Sequence, residues 1–235
     1  MPTQQGQRLA FQNAYNAIKA AGMNPASKIL SQSFIRTEAP LSTAATAYKF
    51  DLLTTENSQP AQYQTQNKLN QQDVFVVSSL FFGFFAPVTA NGSDGSLMTY
   101  PKIGLETGAA GNFTAAQALA ALYAYNGILT LNVNQTTVIP SWDLFKHLRI
   151  PQTQLNATTT GVATGAPTAP MHNTFDSIVG ADDGFYPVEP NVVISGSKKN
   201  NLQVVLPAAI SVIPTNSRMV IIMRGILAQN ASAIN

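Results

Sequence analysis

Cysteine is absent from the 235 residues, which excludes disulfides and thiolate zinc sites. Histidine is nearly absent too, at His147 and His172 alone, so metal and Ser-His chemistry have little to draw on. Charge is scarce. The 13 Lys+Arg and 11 Asp+Glu make up 10% of the chain, against roughly 25% in an ordinary soluble domain. The longest apolar stretch, LFFGFFAPV at 80–88, falls far short of the ~20 residues of a membrane helix. The start, MPTQQGQRLAF, has no basic segment leading into an apolar one, so no secretory leader is expected. The Asn-x-Ser/Thr sites at Asn91, Asn112, Asn134, Asn156 and Asn230 are therefore read as unmodified. The phosphate, dinucleotide, zincin and nucleophile-elbow motifs are all missing. Residues 1–40 carry Arg8, Lys19, Lys28 and Arg36 against Glu38 without a basic cluster, so no nucleic-acid arm is expected.

Amides take the place of charge, with 19 Asn and 17 Gln. Nine of the sixteen residues at 57–72 are Asn or Gln, giving a solvated loop or a surface that hydrogen-bonds a neighbour. The hydrophobic fraction of 45% is enough for a core. A formal charge of +2 repels neighbours weakly, which suits a subunit packed against other subunits.

The chain opens with a helical pattern at 7–21, where Leu9, Phe11, Ala14, Tyr15, Ile18 and Ala21 recur at steps of three and four. Gly22 and Asn24-Pro25 end it. The stripe of Leu9, Phe11, Tyr15 and Ile18 is expected to be buried, on its own sheet or on a neighbour. Residues 28–37 read as a short strand. At 44–53, Tyr48, Phe50 and Leu52 alternate as in a half-buried strand. The stretch 73–87, DVFVVSSLFFGFFAP, is apolar at both alternating sets, as a central or subunit-covered strand must be. Gly83 is the expected bulge or close approach, and 90–96 a turn.

Residues 112–127 form an Ala-rich inserted helix, with Ala115, Leu119, Leu122 and Tyr123 on one side and Asn126-Gly127 as its stop. Beyond it Leu129, Leu131 and Val133 alternate with Thr130, Asn132 and Asn134, a strand with one wetted face. Residues 156–170 are low-complexity Thr, Ala, Gly and Pro and read as a long loop. Strands are expected at Val192–Ser195, Leu202–Leu206, Ile210–Ile213 and Met219–Leu227, with a turn at Ser197-Lys198-Lys199. The result is a mainly β chain. An N-terminal helix and arm (1–43) precedes a β-sandwich domain (44–235), jelly-roll-like in its run of short strands.

Chemistry-bearing residues are few. Asp143, Lys146 and His147 sit together, and a helix would put Asp143 and His147 on one face. The structural alternative is an amphipathic turn with Trp142, Phe145 and Leu148 inward. Asp176, Asp182, Asp183 and Glu189 lack the alternation of a calcium loop and read as a solvated turn, with adventitious divalent binding near Asp182 and Asp183 as the alternative. No catalytic residue, cofactor site or dedicated metal site is assigned. Tyr100, Tyr123, Tyr125, Trp142 and Tyr186 are the aromatics that a glycan-binding groove would use.

The segments QNKLNQQDVFVVSSLFFGFF, LYAYNGILTLNVN, IPSWDLFKHLRIPQTQ, YPVEPNVVISGSKKNNLQVVLP and RMVIIMRGILAQN resemble structural proteins of DNA bacteriophages that build or decorate the capsid. The resemblance spans roughly residues 60–230 and carries no catalytic motif. It implies a non-enzymatic subunit of a virion shell. Its partners would be copies of itself and other virion proteins, met through polar-amide and apolar surfaces. No membrane and no sequence-specific nucleic acid is expected. The alternative is a carbohydrate-binding or glycan-processing β-sandwich protein.

Overall fold

The computed structural model describes residues 4–25, 28–52, 69–87, 95–99, 115–148, 153–155, 172–174 and 184–231. The elements in chain order are α1 (Gln4–Ala20), β1 (Leu30–Pro40), β2 (Ala47–Leu52), β3 (Val74–Pro87), β4 (Gly95–Met98) and α2 (Ala115–Leu122). They continue as β5 (Ile128–Val133), β6 (Thr136–Asp143), β7 (Thr153–Leu155), β8 (His172–Thr174), β9 (Tyr186–Ser195), β10 (Asn200–Val205) and β11 (Arg218–Ala228). Short 3-10 turns at Tyr123–Asn126 and Leu144–His147 follow α2 and β6.

Two antiparallel sheets face each other. In the first, β1, β11 and β3 lie side by side, and the far edge of β3 is shared between β9 and β4. The second runs β2-β10-β5-β6, and β7 and β8 pair separately. The pairing is nested along the chain: β1 with β11, β2 with β10, β3 with β9, β5 with β6. The mainly β sandwich with an N-terminal helix thus agrees with the pattern of the sequence.

The alternations account for the core. Tyr48, Phe50 and Leu52 of β2, Leu202 and Val204 of β10, and Leu129, Leu131 and Val133 of β5 point inward. They meet Ile35, Phe75, Val77, Phe82, Phe84, Met219, Ile221 and Met223 of the first sheet. As expected, β3 is a central strand buried on both faces.

Its irregularity lies elsewhere than expected. Gly83 pairs in register with Val220, and the bulge falls at Ser78, where the registers with β11 and β9 both shift. Phe75 and Val77 face the core before it, and Leu80, Phe82 and Phe84 after it, so one extra residue changes the parity of the strand. The Ser78 hydroxyl donates to the Arg224 carbonyl at 3.1 Å, using a carbonyl at the point where the ladder is interrupted. Gly225 is the close approach: a Cβ there would lie 1.8 Å from the Val76 carbonyl oxygen.

Helix α1 ends as the sequence indicates. Gly22, at φ +80°, donates to the Lys19 carbonyl, and the Met23 amide donates to Ile18. That is a Schellman ending, with Met23 and Ile18 packed in one cluster. The helix seats on the outward face of its own first sheet, with Ala14 and Ile18 against Val74, Val76, Ile226 and Ala228. The expected stripe is only partly buried. Leu9 is 58% exposed and Tyr15 is exposed, because a helix on a flat sheet buries a narrow strip and smaller Ala14 fits closer.

Other expectations need correction. Ile210–Ile213 is not a strand: it belongs to an irregular connection in which Ile210 alone of that run is buried. Gly95–Met98, whose first two residues overlap the end of the expected turn, pairs with β3. The expected helix ends at Leu122 and continues as the 3-10 turn; across the two the buried side is Ala120, Ala121, Ala124 and Tyr125, while Leu119 and Tyr123 face water. The small alanines let the helix approach the core, which leaves the larger side chains outward.

Candidate functional site

Three groupings of side chains in this fold carry enough chemistry to be weighed: the Trp142–His147 corner, a buried ion cluster, and the outward face of the second sheet.

At the corner, Leu144–His147 form a single 3-10 turn rather than a longer helix, and the Asp143 carboxylate caps it by accepting from the Phe145 amide at 2.9 Å. Asp143 therefore serves the backbone and does not pair with His147. The imidazole is buried, and both its nitrogens are engaged. Trp142 Nε1–H donates to Nε2 at 2.8 Å, which assigns the proton to Nδ1, and Nδ1–H donates to the Gly184 carbonyl at 3.1 Å. Gly184, at φ +86°, turns that carbonyl toward the ring. Burial lowers the His147 pKa from 6.5 to about 4; the Gly184 hydrogen bond opposes this in part. A neutral histidine so held orients its neighbours and offers no free base. The packing of the turn also departs from expectation. Leu144 and His147 are buried, Trp142 and Leu148 are half-buried, and Phe145 is 59% exposed.

Of the glycan-groove aromatics, Trp142 and Tyr186 both pack against His147, with ring centroids 6.0 and 5.3 Å away. Tyr125 is fully buried edge-on to Phe82 and Phe84, and its hydroxyl donates to the Thr99 carbonyl. Burial pushes that hydroxyl far above its ordinary range. One face of the Trp142 ring carries the Lys146 ammonium at 4.6 Å. Tyr186 stands edge-on to His147, and Tyr123 is exposed on its own turn. Tyr100, Asp176, Asp182 and Asp183 lie outside the described residues, as does the amide-rich run up to Lys68.

The buried ion cluster could not be read from the sequence. Glu38 on β1 has a fully buried side chain between two arginines. Arg36 Nε donates to its Oε1 at 2.8 Å, and Arg218 Nη1 lies 3.1 Å from Oε2. The Arg218 guanidinium also stacks 4.2 Å over Phe85. The register sets this up: Glu38 is opposite Val220 and Arg218 is opposite Pro40, so Glu38 and Arg218 are diagonal neighbours on one face. A second buried carboxylate, Asp73, accepts from the Asn230 amide at 2.9 Å and from Asn70 Nδ2 at 3.2 Å. Each of these carboxylates is held by structural partners. Among the described residues no group of three or more His, Asp or Glu is placed to hold a metal ion. Among them also, no helix is long and apolar enough to cross a membrane.

The third grouping is the outward face of the second sheet. Across β10 and β5, Asn201 lies opposite Asn132, Gln203 opposite Thr130, and Val205 opposite Ile128. Lys49 of β2 and Thr137 of β6 extend the rows. Thr137 Oγ1 donates to Asn132 Oδ1 at 2.7 Å. Lys49, opposite Gln203, and Asp143, opposite Ile128, are the charges among the described side chains of these rows, and both stand on edge strands. The apolar end, Val205 and Ile128, adjoins the two 3-10 turns, which contact each other and expose Tyr123 and Phe145.

No family model, curated protein or solved structure matches this chain.

Proposed function

We propose that this protein is a structural subunit of a virion shell, built as a jelly roll and working by assembly rather than by catalysis. The nested pairing supports the jelly-roll reading: β4 aside, the first of the other eight strands in the two sheets pairs with the last, and so inward to β5 with β6. Jelly rolls serve capsid and lectin domains alike, so the surface must carry the functional choice.

The observation that carries it is the gathering of Leu119, Tyr123, Ile128, Phe145 and Val205, all exposed, at one end of a chain with only 10% charge. Scattered apolar residues need no explanation, but such a grouping marks a contact surface. Assembly through apolar and amide groups also avoids the desolvation cost of charges. The glycan-binding alternative has less support, because Tyr125 is buried and Trp142 is capped by Lys146.

Light scattering and negative-stain electron microscopy of the purified full chain over a concentration series test this reading. Oligomers or shell-like particles are expected. A chain that stays monomeric, and whose Trp142 emission shifts on adding saccharides, would overturn it in favour of glycan binding.

A further inference from the structure

We infer that the outward face of the β2-β10-β5-β6 sheet is a contact between two copies of this chain related by a two-fold axis. This rests on the assembly reading above and names the surface that would perform it.

The charge pattern selects the occupant. A two-fold contact sets a surface against itself, so every charge on it meets its own kind unless it lies at the rim. Along Asn201–Asn132–Thr137, Gln203–Thr130 and Val205–Ile128 the described side chains are uncharged. The exceptions all belong to the edge strands, at the rim of the face: Lys49 and, opposite Asn201, Asp51 on β2, and Asp143, opposite Ile128, on β6. Amides and hydroxyls both donate and accept, so such a face is complementary to its own copy. The other exposed surfaces are less suited to this. The solvent side of α1 presents Arg8 and Lys19, and the β9–β10 turn presents Lys198 and Lys199, so like charges would meet. A strongly acidic partner would be drawn to those places and not to this sheet.

Four strands of about six residues span about 19 Å by 20 Å, or about 380 Å² in plan. With the exposed Tyr123 and Phe145 the contact is larger but stays below the ~800 Å² per partner of a standard interface, in the class of small ones. The Val205–Ile128 row and these two aromatics supply an apolar end, and the amide rows supply the hydrogen bonds.

Thr130 lies mid-face, half-buried, on β5. Sedimentation equilibrium of the full chain should give a mass above the monomer. Thr130→Arg and Thr130→Glu, each alone, should weaken association at least about tenfold, because each opposes its own charge. An equimolar mixture of the two should recover it. Asn16→Arg on the exposed side of α1 should leave the mass unchanged. Gln203→Arg and Gln203→Glu repeat the experiment if circular dichroism shows the Thr130 variants misfolded. A wild-type chain that is monomeric throughout overturns the assembly reading and this contact together. A wild type that associates, with variants that keep its mass, overturns the face alone. Weakened single variants that the mixture does not rescue overturn the two-fold arrangement.

Discussion

His147 shows how a residue with catalytic potential becomes structural. Its Nε2 is occupied by the Trp142 indole N–H and its Nδ1–H by the Gly184 carbonyl, so protonation would break the tryptophan bond, since indole only donates. The pKa falls from 6.5 in the unfolded chain to about 4 in the folded one. Below pH 6.5 the unfolded chain takes up a proton that the folded chain refuses until about pH 4. The stability from this site is therefore complete above 6.5 and is lost between those values, to a total of about 3 kcal/mol. Urea melts at pH 7 and pH 4 followed by Trp142 emission should show this fall, and His147→Gln should reduce it. Glu38 makes a different case. Glu38→Ala would leave Arg36 and Arg218 facing each other without their shared carboxylate, at a cost of about 3–5 kcal/mol in a chemical denaturation curve.

At the scale of elements, the outward seat of α1 determines what its removal does. Ile18 is fully buried on Val74, Val76 and Ile226, so Ile18→Ala should cost about 2–5 kcal/mol in the same assay. Deleting residues 1–24 should lower the melting temperature and raise binding of an apolar dye, because four aliphatic positions of the sheet are bared. The β3–β11 pairing is as demanding. Gly225→Ala would place a methyl 1.8 Å from the Val76 carbonyl oxygen, in strands that cannot separate without opening the ladder. That variant should be recovered largely as insoluble protein, whereas Gly22→Ala, with open space around it, should cost only about 1 kcal/mol.

For the molecule as a whole, scarce charge governs behaviour in solution. If association runs through uncharged rows and apolar side chains, it should vary little with ionic strength, since there is little for salt to screen. Light scattering at about 50 mM and about 500 mM salt should give similar masses; a tenfold loss at high salt would point to a contact between opposite charges instead.

The sequence by itself determined the local elements. Period-2 alternation marked β2 and β5, and apolar residues at both alternating sets marked β3 and β11 as central, because such strands have no face fit for water. Gly22 marked the end of α1, because a Schellman turn needs a left-handed residue. These are facts of one segment and its solvent. The tertiary structure decided what depends on two segments at once. Nothing near Ser78 announces a bulge, which arises from how β11 and β9 register on either side of β3. Leu9 and Ala14 looked equally fit for burial until the width of the sheet beneath α1 chose between them. His147 looked available until Gly184 arrived from β9's approach to close its second nitrogen. Glu38 and Arg218 became partners only when β1 and β11, from opposite ends of the chain, paired in one register. Segment patterns encode which residues want burial; the pairing of distant strands decides which of them obtain it and beside whom.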